Sequence, residues 1–153
     1  MYIRRKKIPL IAVSFFFIMP VFVSAQTAAE LETVLKTDNV TCAQAAGFVL
    51  ASAEDAPAQN TLKEAFEQAV ARGWFPQGTA PEDSITLGRL SFLIMKAFNI
   101  TGGMMYTLFP GPRYAFRTMV SRSYIQGAAD PAMKVSGERF LHILGKVLSA
   151  AGG

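Results

Sequence analysis

The sequence predicts an all-α fold, a compact domain of repeated helix–loop–helix units, and three observations carry that expectation. One pattern occurs three times: Val40-Thr41 with Ala45, Phe48 and Val49; Ile85-Thr86 with Leu90, Leu93 and Ile94; Val135-Ser136 with Phe140, Ile143 and Leu144. In each, a β-branched residue precedes a hydroxyl residue, and apolar residues return at offsets of five, eight and nine from the first. That is helical spacing opened by a capping side chain. The pattern also extends upstream, because Ala65-Phe66, Ala69-Val70, Arg72, Trp74-Phe75 and Gln77-Gly78 align with Ala115-Phe116, Met119-Val120, Arg122, Tyr124-Ile125 and Gln126-Gly127 once Pro76 is set aside. Finally, no segment keeps the strict alternation of a half-buried strand.

The chain opens on Arg4-Arg5-Lys6-Lys7, an apolar run from Ile8 to Val23, and Val23-Ser24-Ala25, the three regions of a secretory signal peptide. Residues 1–25 are therefore expected to be cleaved after Ala25, leaving 26–153 as a single domain with no stable membrane span. The run is short for a bilayer crossing and holds Pro9 and Pro20 near its ends. A lipoprotein would need a cysteine directly after the run, and the single cysteine is Cys42.

Within 26–153 the units are expected at about 27–53, 61–99 and 111–149. Thr27 to Leu35 reads as a short amphipathic helix ended by Thr37-Asp38-Asn39. A helix from about Cys42 to Ala53 follows, with Thr41 and Gln44 as a capping box. Glu54 to Asn60, with Pro57, is a linker. Leu62 to Arg72 is helix with Leu62, Phe66, Ala69 and Val70 on its inner face, closed by Gly73 and Pro76-Gln77-Gly78. Pro81-Glu82-Asp83-Ser84 leads to a helix from Leu87 to Phe98, capped by Thr86 and stopped by Thr101-Gly102-Gly103. Met104 to Pro112 is a loop, and Pro110-Gly111-Pro112 turns into a helix from about Arg113 to Tyr124. The last helix runs from Gly137 to about Leu148 and frays at Ala150-Ala151-Gly152-Gly153.

The formal charge of +4 comes from Arg4, Arg5, Lys6 and Lys7, since the rest of the chain holds 11 basic and 11 acidic residues. Residues 26–85 carry Lys36, Lys63 and Arg72 against nine carboxylates, whereas 86–153 carry eight basic residues against Asp130 and Glu138. Opposed halves of this kind either pair within the domain or present a cationic face to an anionic polymer. One cysteine cannot close an internal disulfide, so burial alone must hold the fold. Cys42 itself reads as a small core or boundary residue.

These units resemble the S-layer homology domain family, on Arg72-Gly73-Trp74-Phe75-Pro76-Gln77-Gly78 with Ile85-Thr86-Leu87-Gly88-Arg89, echoed by Tyr124-Ile125-Gln126-Gly127 with Val135-Ser136-Gly137-Glu138-Arg139. Val40-Thr41-Cys42-Ala43-Gln44 is similar to the family's Ile-Thr-Arg-Ala-Glu segment, and the likeness covers most of residues 40 to 149. The resemblance implies three repeats in a pseudo-threefold helical body that holds exported proteins on the cell wall through secondary polysaccharides or peptidoglycan. The family's Arg is replaced here by Cys42, Leu87 and Gly137 and its Glu by Gln44, Arg89 and Arg139, and the Phe-x-Asp opening is missing. The wall-polymer contact of that Arg does not carry over.

Arg89 and Arg139 fall three positions after a capping hydroxyl, where a helix N-terminus favours a carboxylate over a cation by about 0.3–1 kcal/mol. Their planar forks suit carboxylate or phosphate groups of an envelope polymer, and pairing of Arg89 with Glu82 or Asp83 and of Arg139 with Asp130 is the plainer alternative. Rings with a polar handle stack on sugars. Tyr106 and Phe109 lie in a loop without counterpart in the repeats, with Arg113 and Tyr114 just beyond, and complete the candidate ligand-binding set. Trp74 and Tyr124 occupy equivalent positions and are expected to seal the core, and Met95, Met104, Met105, Met119 and Met133 to fill it.

Nucleophilic or metal chemistry needs convergent donors, and the chain has one His and one Cys. His142 falls beside an apolar stripe, and Glu82-Asp83 are neighbours in a loop rather than two carboxylates opposed across a bond. There is no phosphate-cradling glycine motif, zinc spacing or basic run outside the leader. The expectation is a non-catalytic exported module of the periplasm, cell envelope or extracellular space, without cofactor, metal or nucleic acid. It would bind peptidoglycan or an associated polysaccharide, or, as the alternative, another envelope protein as a scaffold.

Overall fold

The structure, a computed structural model, describes residues 22–53 and 61–152. The chain is all-helical among those residues, with α1 (Phe22–Leu35), α2 (Cys42–Ala53), α3 (Leu62–Ala71), α4 (Leu87–Ala97), α5 (Met104–Leu108), α6 (Pro112–Ser121) and α7 (Gly137–Ala151). Most of the expected leader, residues 1–21, and most of the expected linker, residues 54–60, lie outside the described residues. Helix α1 begins at Phe22 rather than Thr27, so the expected cleavage point, Ala25, falls within it.

Hydroxyl caps open the helices where the repeated pattern places them. Thr41 accepts from the Gln44 N–H at 3.2 Å while the Gln44 side chain accepts from the Thr41 N–H at 3.0 Å. Thr61 and Glu64 form a second reciprocal box at the start of α3. Thr86 and Ser136 accept from the N–H groups of Arg89 and Arg139, each at 3.4 Å. An arginine side chain cannot accept in return, so these two caps are one-sided.

Three helices share one kind of ending. The Trp74, Ile100 and Tyr124 N–H groups reach back to the Ala69, Met95 and Met119 carbonyls, and the preceding residues, Gly73, Asn99 and Ser123, bond to Val70, Lys96 and Val120. This is the Schellman closure, which needs a left-handed residue. Gly73 has φ +71° at little cost, whereas Asn99 at 51° and Ser123 at 61° adopt it with a side chain. Helix α6 consequently stops at Ser121, short of the expected Tyr124.

At the centre, Val40, Ile85 and Val135 are fully buried, and their backbones bond in a closed cycle. The Val40 N–H donates to the Val135 carbonyl at 2.8 Å, Val135 to Ile85 at 3.2 Å, and Ile85 to Val40 at 2.8 Å. The first residue of each capped helix adds an equivalent bond, from Cys42 to the Asp83 carbonyl, Leu87 to Met133 and Gly137 to Thr37. These extended segments form only isolated bridges, Thr41 with Ser84 and Thr86 with Lys134, and no strand occurs among the described residues.

The helices pair around this cycle: α2 packs on α3, α4 on α6, and α7 on α1. Helix α2 also touches α4 and α7, placing Phe48 edge-on to Phe140 with ring centroids 6.1 Å apart. The last pairing is closest at Gly137, where any Cβ would overlap the Val34 carbonyl oxygen. The apolar stripes meet in one core that includes Cys42, Val49, Phe66, Leu90, Leu93, Ile94, Met119, Phe140 and Ile143. Trp74 and Tyr124 are half-buried against it, as their equivalent positions predict.

Several side chains depart from expectation. Leu62 and Val70 are exposed, because the stripe of α3 that meets α2 is narrow and consists of Ala65, Phe66 and Ala69. Met95 and Met119 fill the core, but Met104, Met105 and Met133 face solvent. The expected loop from Met104 begins instead as the short helix α5, which exposes both of its methionines.

Candidate functional site

The six candidate ligand residues fall on three parts of the molecule. Arg89 is half-buried at the start of α4, and its guanidinium lies against the Cys42 thiol instead of pairing with Glu82 or Asp83. The thiol is fully buried, and burial is the main cause that raises its pKa; Asp83 raises it further, while Arg89 pulls it down. A thiol held protonated in this way is a packing group rather than a nucleophile.

Arg139, at the start of α7, is committed within the fold. Its guanidinium donates to the Gln126 carbonyl at 3.3 Å, the Ala128 carbonyl at 2.8 Å and the Met133 sulfur at 3.0 Å. It therefore braces the loop between α6 and α7 and forms no ion pair with Asp130, whose carboxylate accepts from the Ala132 N–H at 2.7 Å. The cation at this unfavourable helix position is explained by the carbonyls it gathers.

The other four candidates lie close along the chain, on the adjoining helices α5 and α6 and the turn between them. Tyr106 points inward and packs edge-on against Phe92 of α4, with ring centroids 6.3 Å apart. Burial raises its phenol pKa above the ordinary value of 10.0. Phe109 is 62% exposed just after α5, Arg113 is exposed in the first turn of α6, and Tyr114 beside it is half-buried. Arg113 and Arg117 are four residues apart on the outer side of α6, while Ala115 and Met119 face the core.

The stretch of chain that carries this face has charge of one sign. From Ser84 to Ala129 there is no Asp or Glu, while Arg89, Lys96, Arg113, Arg117 and Arg122 lie in that span. The only ion pairs among the described residues, Lys36 with Glu32 and Lys63 with Glu67, are exposed pairs on α1 and α3. Among the described residues no salt bridge joins the two halves.

Beside these cations, sequence reasoning named Phe109, expected Met104 and Met105 in the core, and passed over Leu108. Met104, Met105, Leu108 and Phe109 are 76%, 44%, 61% and 62% exposed. Their signal was the absence of charge over residues 101–112. A separate open groove between α1, α2 and the start of α3, lined by Thr33, Val34, Gln44, Phe48 and Leu62, is mostly apolar and contains none of the candidates. Among the described residues no group of three or more His, Cys, Asp or Glu is placed to hold a metal, and no helix is long and apolar enough to cross a membrane. Compared with known protein families, curated proteins and solved structures, the chain matches none.

Proposed function

We propose that this protein is a non-catalytic, exported cell-envelope module, similar in plan to a degenerate S-layer homology domain, that binds peptidoglycan or an anionic polysaccharide attached to it. The single observation that carries the reading is the carboxylate-free span from Ser84 to Ala129, which sets the exposed Arg113 beside Tyr114 and Phe109. A guanidinium fork next to rings with a polar edge is suited to acidic sugars. The three-membered backbone cycle and the matched helix pairs support the three-repeat architecture that the family resemblance implies.

The test is co-sedimentation with purified sacculi before and after their secondary polymers are stripped. Wild-type protein is expected in the pellet, with Arg113→Ala and Tyr114→Ala each weakening retention about five- to tenfold, the loss of one charge-assisted or stacking contact. Wild-type protein left wholly in the supernatant would refute the proposal. The alternative, a periplasmic scaffold that binds a protein, draws on the exposed apolar side of α5. A stoichiometric protein partner recovered from envelope extract, together with no binding to sacculi, would put that reading in its place.

A further inference from the structure

We infer that the α5 tip is a membrane-docking element, seating Met104, Met105, Leu108 and Phe109 in the interface of an anionic lipid surface while the surrounding cations engage its headgroups. Met104, Met105 and Leu108 stand at i, i+1 and i+4 along one side of the short helix, exposed Phe109 follows at its end, and Tyr106 fixes the helix to Phe92. The tip is therefore a held projection with its apolar side outward. Residues 101–112 carry no charge that would have to be desolvated.

Cations stand at its base. Lys96 Nζ lies 5.4 Å from the Phe92 ring centroid, on the same ring that seats Tyr106. Arg122 donates to the Thr101 carbonyl at 2.6 Å, which ties the chain entering the tip to the end of α6. Arg113 and Arg117 follow the tip along α6. An apolar projection rimmed by unneutralised cations matches a bilayer surface, where apolar burial and attraction to anionic headgroups add together. The same cations argue against self-association through the tip, since two copies would bring Lys96, Arg113, Arg117 and Arg122 against their like.

The inference shares Phe109 and Arg113 with the proposed polymer-binding face, and the two are tested apart, because sacculi contain no bilayer. Its test uses the full chain carrying Trp74→Phe and Phe109→Trp, so that a single indole reports the tip. With vesicles of phosphatidylglycerol and phosphatidylcholine in equal parts, the indole is expected to shift to the blue and to be quenched by lipids brominated on the acyl chain. Neither change is expected with phosphatidylcholine alone or in high salt. Met104→Ser with Leu108→Ser should reduce this quenching and the vesicle affinity about tenfold, and Arg117→Glu several-fold, both with an unchanged circular dichroism spectrum. An indole left unquenched while the protein floats with the vesicles would overturn the inference, because attachment would then lie elsewhere. So would a blue shift that rises with protein concentration without lipid, showing a second copy on the tip, or one produced by an envelope protein and not by vesicles.

Discussion

Ser123 carries a backbone conformation that its equivalent, Gly73, adopts freely. Replacing it by glycine removes the crowding of its Cβ, and this gain exceeds the added entropy of the unfolded chain. Ser123→Gly is therefore expected to stabilise the protein by about 0.5–1 kcal/mol, read as a higher urea midpoint at unchanged slope. Cys42 provides a second residue-level prediction. Its folded pKa lies above the ordinary value of 9.0, so the native state keeps its proton at a pH where the unfolded chain begins to release it. Stability is then unaffected by this group well below pH 9.0 and falls as the pH rises past that value. Urea titrations at successive pH values, compared with Cys42→Ala, should show the decline attached to the thiol, and a disulfide-exchange reagent should label it quickly only after denaturation. The caps and the burial of Cys42 were legible in the sequence, because both follow from local pattern. The task of Arg139 was not, since the carbonyls it gathers belong to a loop whose course depends on the fold.

At the scale of elements, two glycines in helices behave oppositely. A Cβ at Gly47 would meet the tip of the Leu62 side chain, which can swing aside, so Gly47→Ala should change stability by no more than about 0.5 kcal/mol. A Cβ at Gly137 would meet backbone at Val34, and relief requires α1 to move off α7. Gly137→Ala is expected to cost about 1–3 kcal/mol and to speed amide exchange in α1 before the rest of the protein. The main helices were readable from caps and apolar spacing. Helix α5 was not: it is too short for periodicity to show, and Gly103 gives it no side-chain cap. The outward turn of Val70 was equally hidden, because the small residues Ala65 and Ala69 decide how narrow a stripe α3 presents.

For the whole molecule, the repeats do not imply independent folding. Each of Val40, Ile85 and Val135 has its donor and acceptor satisfied by the other two, so removing any one segment leaves buried polar groups without partners. Thermal unfolding should be a single transition, with far-UV circular dichroism and the fluorescence of Trp74 melting together. Ile85→Ala, at a fully buried member of the cycle, is expected to cost about 2–5 kcal/mol and to lower that one transition without splitting it. The sequence made the equivalence of these three positions visible, yet their mutual bonding depends on segments far apart along the chain. The candidate site was legible in part for a similar reason. Charge asymmetry pointed to the cationic half and the unmatched loop to Phe109, but only the packed molecule shows that Met104, Met105 and Leu108 stand out beside it.

The closed cycle also bears on how the protein is made. A polypeptide emerging from its N-terminus can assemble α2 against α3, but Val40 still waits for an acceptor carried by Val135. Synthesis must pass the final third before the centre can close, so every shorter nascent chain remains open to chaperones, to proteases and to threading through a narrow channel.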